Sequence, residues 1–186
     1  MIEAELKARL SNPGPVRAKL RELAGEPEKA IYHDAYYDTA DRGLETADRE
    51  LRLRTVETPD TVRHLLTFKD PAVDEESESK PEYETALGNP AAVVRLFEAL
   101  GYGVSVGLTK DCENYRLAQD GRDFLATVAR VPELDDTYLE VETIAEEADV
   151  DRALAAVRVM LGHLGVPDSD LTTERYTDAV RAARHR

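Results

Sequence analysis

A strict alternation of charged and apolar side chains at the start of the chain constrains the fold more than any other feature. In residues 2–7 every second side chain is charged, namely Glu3, Glu5 and Lys7, and the residues between them are apolar. Because successive side chains of a strand point to opposite faces, the three charges share one face. The sequence therefore predicts a β-strand with one charged and one apolar face.

The same alternation returns later in the chain with both signs of charge. Residues 51–54 carry two arginines at this spacing, and residues 82–84 and 140–142 each carry two glutamates. Lys110 and Cys112 form a weaker pair. Strands that turn their charged faces the same way would line a polar channel and pack their apolar faces outward against helices. A channel with both carboxylates and cations suits a polyanion bound together with a metal ion.

Periodicity and turn residues predict strands interrupted by a few helices. Beyond the first strand, the predicted strands are 30–37, 50–56, 61–69, 80–87, 104–109, 114–117, 123–131 and 137–143. The predicted helices are 16–23, 90–100 (with Asn89 as cap), 150–164 and 171–184. This order indicates an α+β fold, a closed antiparallel barrel of about eight strands that forms a tunnel, with helices packed outside. No linker divides the chain, which predicts a single domain over residues 1–186.

Composition excludes several classes of protein. A net charge of −14 argues against nonspecific nucleic-acid binding, which requires a basic surface. No apolar run approaches membrane-spanning length and the first residues do not resemble a signal peptide, so we expect no membrane association and a cytoplasmic location. The single cysteine, Cys112, excludes an internal disulfide framework. We expect the acidic residues 74–78 to form a solvated loop between strands.

A set of short motifs runs along the chain in a fixed order. After Glu3-x-Glu5-x-Lys7 come Tyr36-Tyr37-Asp38-Thr39, Leu51-Arg52-Leu53-Arg54, Leu66-Thr67-Phe68-Lys69, Lys80-Pro81-Glu82-Tyr83-Glu84, Leu100-Gly101-Tyr102, Lys110 with Tyr115, and Leu139-Glu140-Val141-Glu142. The ordered set resembles the CYTH superfamily, also called triphosphate tunnel metalloenzymes. The first motif alone is a weak pattern, whereas the order and spacing of the set cover nearly the whole chain. Arg175-Tyr176 resembles a late motif of the family and is expected to help close the barrel.

The resemblance implies roles for the charged residues. The implied ligands of a divalent cation, Mg²⁺ or Mn²⁺, are Glu3, Glu5, Glu140 and Glu142, since hard cations prefer carboxylates. The candidates to hold phosphate oxygens are Arg52, Arg54, Lys69 and Lys110. Glu82 and Glu84 belong with the substrate-binding residues, either as ligands or as groups that orient the cations. Lys7 is implied as the catalytic residue, in contact with the phosphates or activating the nucleophile.

Two enzymatic functions and a binding function follow from the resemblance. A class IV adenylate cyclase converts ATP to cyclic AMP and pyrophosphate, and the second half of the chain favours this branch. A triphosphatase releases orthophosphate from inorganic tripolyphosphate or thiamine triphosphate. The remaining alternatives are a non-catalytic module that binds a nucleotide or polyphosphate, and an enzyme acting on a specialised phosphorylated metabolite. The predicted partner is in each case a phosphorylated small molecule, and a homodimer is left open.

The chain departs from the family pattern at two positions. Cys112 stands where the family often has an arginine in Lys-x-Arg, and Ala129 stands where Leu-Asp-x-Val often has a polar residue. These replacements favour the binding module, whereas the intact glutamates and Lys7 favour an enzyme. We interpret Cys112 as a small residue of the barrel rather than a nucleophile. Tyr36, Tyr37 and Tyr115 are interpreted as packing residues, and the alternative is that one of them stacks on a base or thiazole ring.

Overall fold

Eight antiparallel strands form a closed barrel. The computed structural model describes residues 2–73, 77 and 79–186, and within them the strands are β1 (Ile2–Leu10), β2 (Glu28–Asp38), β3 (Glu50–Glu57), β4 (Val62–Lys69), β5 (Lys80–Ala86), β6 (Gly103–Gln119), β7 (Arg122–Arg130) and β8 (Thr137–Ala145). They pair in the order β1-β5-β4-β3-β2-β6-β7-β8, and β8 pairs back onto β1. The predicted barrel is confirmed. Residues 74–76 and 78 of the predicted acidic loop lie outside the described residues.

Five α-helices accompany the barrel in the described part of the chain. They are α1 (Pro13–Ala24), α2 (Gly43–Thr46), α3 (Pro90–Ala99), α4 (Val150–His163) and α5 (Tyr176–Arg184). At the start of α3 the Asn89 side chain accepts a hydrogen bond from the Ala92 amide at 3.1 Å, which confirms the predicted cap. Of these helices, none combines the length and apolar character that crossing a membrane would require.

The outward faces of the strands carry the largest part of the core. Leu6 of β1, Tyr115 of β6 and Leu139 of β8 pack with Leu20 of α1 and Leu161 of α4 in one cluster of buried residues. This leaves the opposite faces of the same strands, which carry the charged residues, to point into the barrel.

Helix α5 covers inward-facing side chains at one end of the barrel. Leu108 of β6 has the parity of the interior residue Lys110, and Tyr138 of β8 has the parity of Glu140. Both residues pack with Ala179 and Val180 of α5. The start of α5 therefore lies beside the barrel interior, whereas α1 and α4 cover the outside.

The structure corrects the prediction of two separate strands at 104–109 and 114–117. β6 is one strand of 17 residues, and it pairs with β2 from Gly103 to Asn114 and with β7 from Asp111 to Gln119. The polar residues that interrupt the apolar pattern here alternate between an interior that is itself polar and the exposed surface. Strand pairing along the whole length therefore overrides the local sequence signal.

The last helix begins at Tyr176 and not at residue 171 as predicted. Leu171 forms an isolated bridge with Ala8, and the Thr172 amide donates to the Lys7 carbonyl oxygen at 2.9 Å. Because these backbone groups are engaged with β1, the chain stays extended here and the helix starts only after them.

Truncation of Leu139 should destabilise the barrel strongly. Leu139 is 0% exposed within the main cluster, and replacing a buried leucine with alanine leaves a cavity that costs about 2–5 kcal/mol. We expect this loss for Leu139→Ala in urea unfolding followed by circular dichroism. Leu96 on α3 is 60% exposed, so Leu96→Ala should change the free energy of unfolding by less than about 0.5 kcal/mol. Equal losses in the two variants would contradict this placement of the core.

Candidate active site inside the barrel

The barrel encloses a charged cavity of about 640 Å³. Its wall includes nine of the eleven predicted site residues: Glu3, Glu5, Lys7, Arg52, Arg54, Lys69, Lys110, Glu140 and Glu142. They come from β1, β3, β4, β6 and β8. The period-two alternation brings them together, because each strand turns its charged face inward. The other two, Glu82 and Glu84 of β5, contact cations of this wall.

Arg54 is fixed by a carboxylate that the sequence analysis missed. Its Nε and Nη2 donate to the two carboxylate oxygens of Asp34 at 2.6 and 2.7 Å, and the residues face each other in the β2–β3 register. Burial opposes ionisation of both groups, but their mutual attraction prevails, so the pKa of Asp34 is lowered and the pKa of Arg54 is raised. The Arg54 guanidinium also lies 4.5 Å from the centre of the Tyr32 ring. Arg54 therefore stays charged and held in place.

The charge and the hydrogen-bond donors of Arg52 are less completely compensated than those of Arg54. Its Nη2 donates to the Thr67 hydroxyl at 3.2 Å and lies 3.9 Å from the Glu84 carboxylate, to which Thr67 donates at 2.9 Å. Within residues 2–73, 77 and 79–186, the buried Nε of Arg52 finds no hydrogen-bond partner. Glu84 thus orients Arg52, and the guanidinium retains a donor for an anion in the cavity.

Lys69 bridges two glutamates. Its Nζ lies 2.6 Å from a Glu3 oxygen and 2.8 Å from a Glu82 oxygen. Burial opposes the charge on Lys69, but Glu3 and then Glu82 outweigh it and raise the pKa of Lys69 well above its usual range. Burial likewise opposes the ionisation of Glu3, yet the charge of Lys69 holds the pKa of Glu3 below its usual range. This geometry favours the orienting role for Glu82, one of the two alternatives left open by the sequence.

Lys110 and Lys7 share an aromatic neighbour. Lys110 lies 3.3 Å from the Glu140 carboxylate, which raises the pKa of this lysine against the opposing effect of burial. The centre of the Tyr176 ring lies 4.8 Å from Lys7 Nζ and 4.6 Å from Lys110 Nζ. Burial and then the Glu140 charge raise the pKa of Tyr176 well above its usual range, so its hydroxyl stays protonated.

Three of the four predicted metal ligands converge. One carboxylate oxygen from each of Glu3, Glu5 and Glu142 lies within 4.8 Å of the others, and Glu5 faces Glu142 in the β1–β8 register. Burial and then the charges of Glu3, Glu5 and Glu140 raise the pKa of Glu142 well above its usual range. Oxygens at this spacing fit a hard divalent cation, whose charge would offset their repulsion. The fourth predicted ligand, Glu140, lies next to Lys110.

A second charged group at the cavity wall was missed by the sequence analysis. Buried Lys80 donates to the Asp48 carbonyl and carboxylate oxygens, both at 3.0 Å, and to Glu50 at 3.1 Å, and Arg175 also contacts the Asp48 carboxylate. A signal for Lys80 was present, since it precedes Glu82 by two residues and so shares its face. Asp48 lies in a loop and Arg175 lies far away in sequence, and neither shows a pattern that connects them.

The two positions that depart from the family pattern face each other on neighbouring strands. Cys112 of β6 pairs with Ala129 of β7. Both residues are buried, and neither lines the cavity. Burial raises the pKa of the Cys112 thiol to about 12, which disfavours the nucleophilic thiolate at neutral pH. The next interior pair is polar, because Thr127 donates to Asn114 at 2.9 Å. Cys112 is therefore a small packing residue, as the sequence indicated.

A comparison with protein-family models finds one that matches this chain, the CYTH domain, over residues 1–173. A Methanocaldococcus jannaschii protein named "putative adenylate cyclase" is 24% identical over 180 residues, which are 96% of this chain and 98% of the relative.

Solved structures share the fold along nearly the full chain. A protein of Vibrio parahaemolyticus described as a "putative adenylate cyclase" superimposes with a TM-score of 0.80 at 19% identity, covering 97% of this chain and 98% of the other. A Hippeastrum protein, described as a "putative adenylyl cyclase" with a dominant triphosphatase activity, gives a TM-score of 0.67 at 17% identity, covering 98% and 96%. At these identities the likeness establishes the fold.

Removal of the charge on Asp34 should destabilise the protein in a pH-dependent way. Asp34→Asn leaves the buried Arg54 without its counter-ion, and breaking such a pair costs about 3–5 kcal/mol. Because folding lowers the pKa of Asp34 from 3.8, the stabilisation is complete above that value and declines as pH falls below it. In urea titrations the cost should therefore be constant from about pH 8 to about pH 5 and smaller near pH 3.

Asp111→Asn provides the control for this prediction. Asp111 is exposed on β6, so the same chemical change there should alter the free energy of unfolding by less than about 0.5 kcal/mol. A cost of Asp34→Asn that equals this control would contradict a stabilising role for the Asp34–Arg54 pair.

Proposed function

The chain belongs to the CYTH domain family, and from this premise we propose that it binds a triphosphorylated small molecule together with Mg²⁺ or Mn²⁺ inside the barrel and cleaves it. One observation carries the proposal: arginines and lysines face a group of carboxylates across a single cavity. Cations of the protein suit the oxygens of a polyphosphate, and carboxylates suit a metal ion bound to those oxygens.

Each side chain has a distinct part in binding under this proposal. Arg52 and Arg54 present guanidinium groups to the phosphate oxygens, and the contacts with Glu84 and Asp34 orient them before the substrate arrives. Lys69 and Lys110 add charge from two further strands. Lys7 lies on the face of Glu3 and Glu5 and is the candidate to contact the reacting phosphate or the nucleophile.

The carboxylates of Glu3, Glu5 and Glu142 would hold the divalent cation, with Glu140 as the further predicted ligand. A bound cation supplies charge neutralisation and polarises phosphate oxygens. The described side chains contribute by fixing the polyphosphate in one orientation, since phosphoryl transfer depends mainly on positioning and on compensation of charge.

The leading candidate reaction is that of an adenylate cyclase, because the Methanocaldococcus relative carries that name. In this reaction the ribose 3′-oxygen of ATP forms a bond with the α-phosphorus and its proton passes to solvent or to a base. The bond between the α-phosphorus and the oxygen that bridges to the β-phosphorus breaks, and pyrophosphate is released. The intact residues Glu3, Glu5 and Lys7 support an enzyme over a binding module. Cys112 and Ala129 remain the features that favour the module.

A triphosphatase is the second candidate, and the composition of the cavity wall favours it. Among the described residues of the wall, the apolar ones apart from two tyrosines are Ala72 and Val73, and these offer little surface for an adenine or thiazole ring. In this reaction the oxygen of water forms a bond with the terminal phosphorus and the bond from that phosphorus to its bridging oxygen breaks, so that orthophosphate is released and the diphosphate is the leaving group. The activity named for the Hippeastrum protein is of this kind. The single-domain organisation and the cytoplasmic location stay predictions, and a homodimer stays open.

Phosphorus NMR should identify the reaction. The protein is mixed in turn with ATP, thiamine triphosphate and tripolyphosphate, with Mg²⁺ and then with Mn²⁺. Pyrophosphate with cyclic AMP identifies a cyclase, and orthophosphate identifies a triphosphatase and its substrate. Glu5→Gln should slow turnover by about 100-fold or more, since it removes the charge of a proposed ligand of the divalent cation, whereas Asp111→Asn should not. Metal-dependent line broadening without products would replace the enzyme with a binding module.

Binding of the divalent cation should release a proton from Glu142. The raised pKa of Glu142 keeps this carboxyl protonated to higher pH than an ordinary glutamate, and the proton competes with the cation. The apparent affinity for Mn²⁺ should therefore rise with pH until Glu142 is ionised. Calorimetric titrations in two buffers of different ionisation enthalpy measure the proton. Glu142→Gln should abolish its release, and the exposed Glu146→Gln should retain it. Wild-type binding without proton release would refute this assignment.

A further inference from the structure

Tyr176 occupies a position in the cavity that packing alone does not explain. It is the first residue of α5, is 8% exposed, and packs edge-on against Tyr138 with ring centres 5.0 Å apart. Its ring also contacts the two lysines of the cavity wall, Lys7 and Lys110. A leucine or phenylalanine would fill the same space among apolar neighbours, so the hydroxyl needs a separate explanation.

The Tyr176 hydroxyl is a buried polar atom at the cavity wall. Among the residues described by the structure, no acceptor stands in hydrogen-bonding geometry to its oxygen, although the Glu140 carboxylate is close enough to interact with the hydroxyl. Buried polar atoms are almost always hydrogen-bonded, and an exception at a cavity calls for a ligand or an ordered water. The Nε of Arg52, in the wall of the same cavity, is in the same situation. Two such donors at one cavity point to an acceptor-rich ligand.

The fold holds Tyr176 at this position from both sides. Just before it, Arg175 contacts the Asp48 carboxylate. Along the helix after it, Arg181 pairs with Glu45 at 3.0 Å and Arg184 donates to the Gly107 carbonyl oxygen at 2.7 Å. A helix held by these three contacts therefore positions the hydroxyl at the cavity. A binding group requires such rigid support.

We propose that Tyr176 is a substrate-binding residue whose hydroxyl donates a hydrogen bond to an oxygen of the bound polyphosphate. The inference rests on the proposed function, since it assigns a further ligand in the same cavity. The ring lies beside Lys7 and Lys110, so Tyr176 has two cationic neighbours that attract the same anion. The residue thereby couples the C-terminal helix α5 to substrate binding, a role that none of the charged strand residues can have.

The test compares the removal of one hydroxyl inside the cavity with the removal of another outside it. Tyr176→Phe keeps the ring and its packing, and Tyr138→Phe removes a hydroxyl from the ring against which Tyr176 packs, in a residue that does not line the described cavity. The probe is the methylene analogue of tripolyphosphate, whose P–C–P bridges resist cleavage, titrated calorimetrically with Mg²⁺ present. Each variant is also titrated with Mg²⁺ alone, and thermal unfolding checks that both are folded.

Tyr176→Phe should weaken binding of the analogue by about 10-fold or more, the effect of one hydrogen bond to a charged group. Its affinity for Mg²⁺ alone and the analogue affinity of Tyr138→Phe should stay within about 2-fold of wild type. Unchanged analogue affinity in Tyr176→Phe would overturn the inference and leave the proposed function standing. Equal losses of Mg²⁺ and analogue affinity would also overturn it, because the hydroxyl would then act through Glu140. A wild-type protein that does not bind the analogue would overturn the proposed function as well.

Discussion

Charged side chains buried in the wall of the barrel lose part of the water that would otherwise solvate them, so each is stabilised by a partner of opposite charge. The strands supply these partners mostly by pairing neighbours: Arg54 with Asp34, Lys69 with Glu3, and Lys110 with Glu140. The balance is incomplete in two places. Glu5 and Glu142 lie beside Glu3, and repulsion among these carboxylates contributes to the raised pKa of Glu142. Arg52 keeps a donor without a partner in the described part of the chain. The clustered carboxylates and the Arg52 donor line one cavity, and they are the groups that would bind a metal ion and an anion.

The charged interior could be predicted from the sequence because strand geometry converts spacing into direction. In β1, β3 and β8 a period of two settles which side chains share a face, and nine of the eleven predicted residues line the cavity as a result. The closed barrel followed from the number of strands and from the resemblance to the CYTH superfamily. Alternation does not reveal which charged side chain lies next to which. The β2–β3 register joins Asp34 to Arg54, and that register is a property of the assembled sheet.

The parts that could not be predicted depend on contacts between distant segments. Asp48 meets Lys80 and Arg175 only because a loop, a strand end and the segment before α5 converge at the wall of the cavity. β6 was predicted as two strands because Lys110, Asp111 and Asn114 interrupt the apolar pattern. In the barrel Lys110 and Asn114 face the polar interior and Asp111 faces the exposed surface, so all three are ordinary strand residues. The start of α5 was predicted too early, because the local sequence does not show that Leu171 forms a β-bridge with Ala8.

Closure of the barrel joins the two ends of the strand series, and this has a consequence for how the molecule assembles. β1 is made first, yet its partners are β5 and β8, so Glu5 meets Glu142 only after residue 145 has been synthesised. Pairing across so long a stretch of chain carries a large loop-closure cost and is expected to be a late event in folding. The carboxylates that would hold the metal, Glu3, Glu5 and Glu142, lie on these two late-pairing strands, β1 and β8. A divalent ion bound there would hold together β1 and β8, the first and last strands of the barrel in sequence.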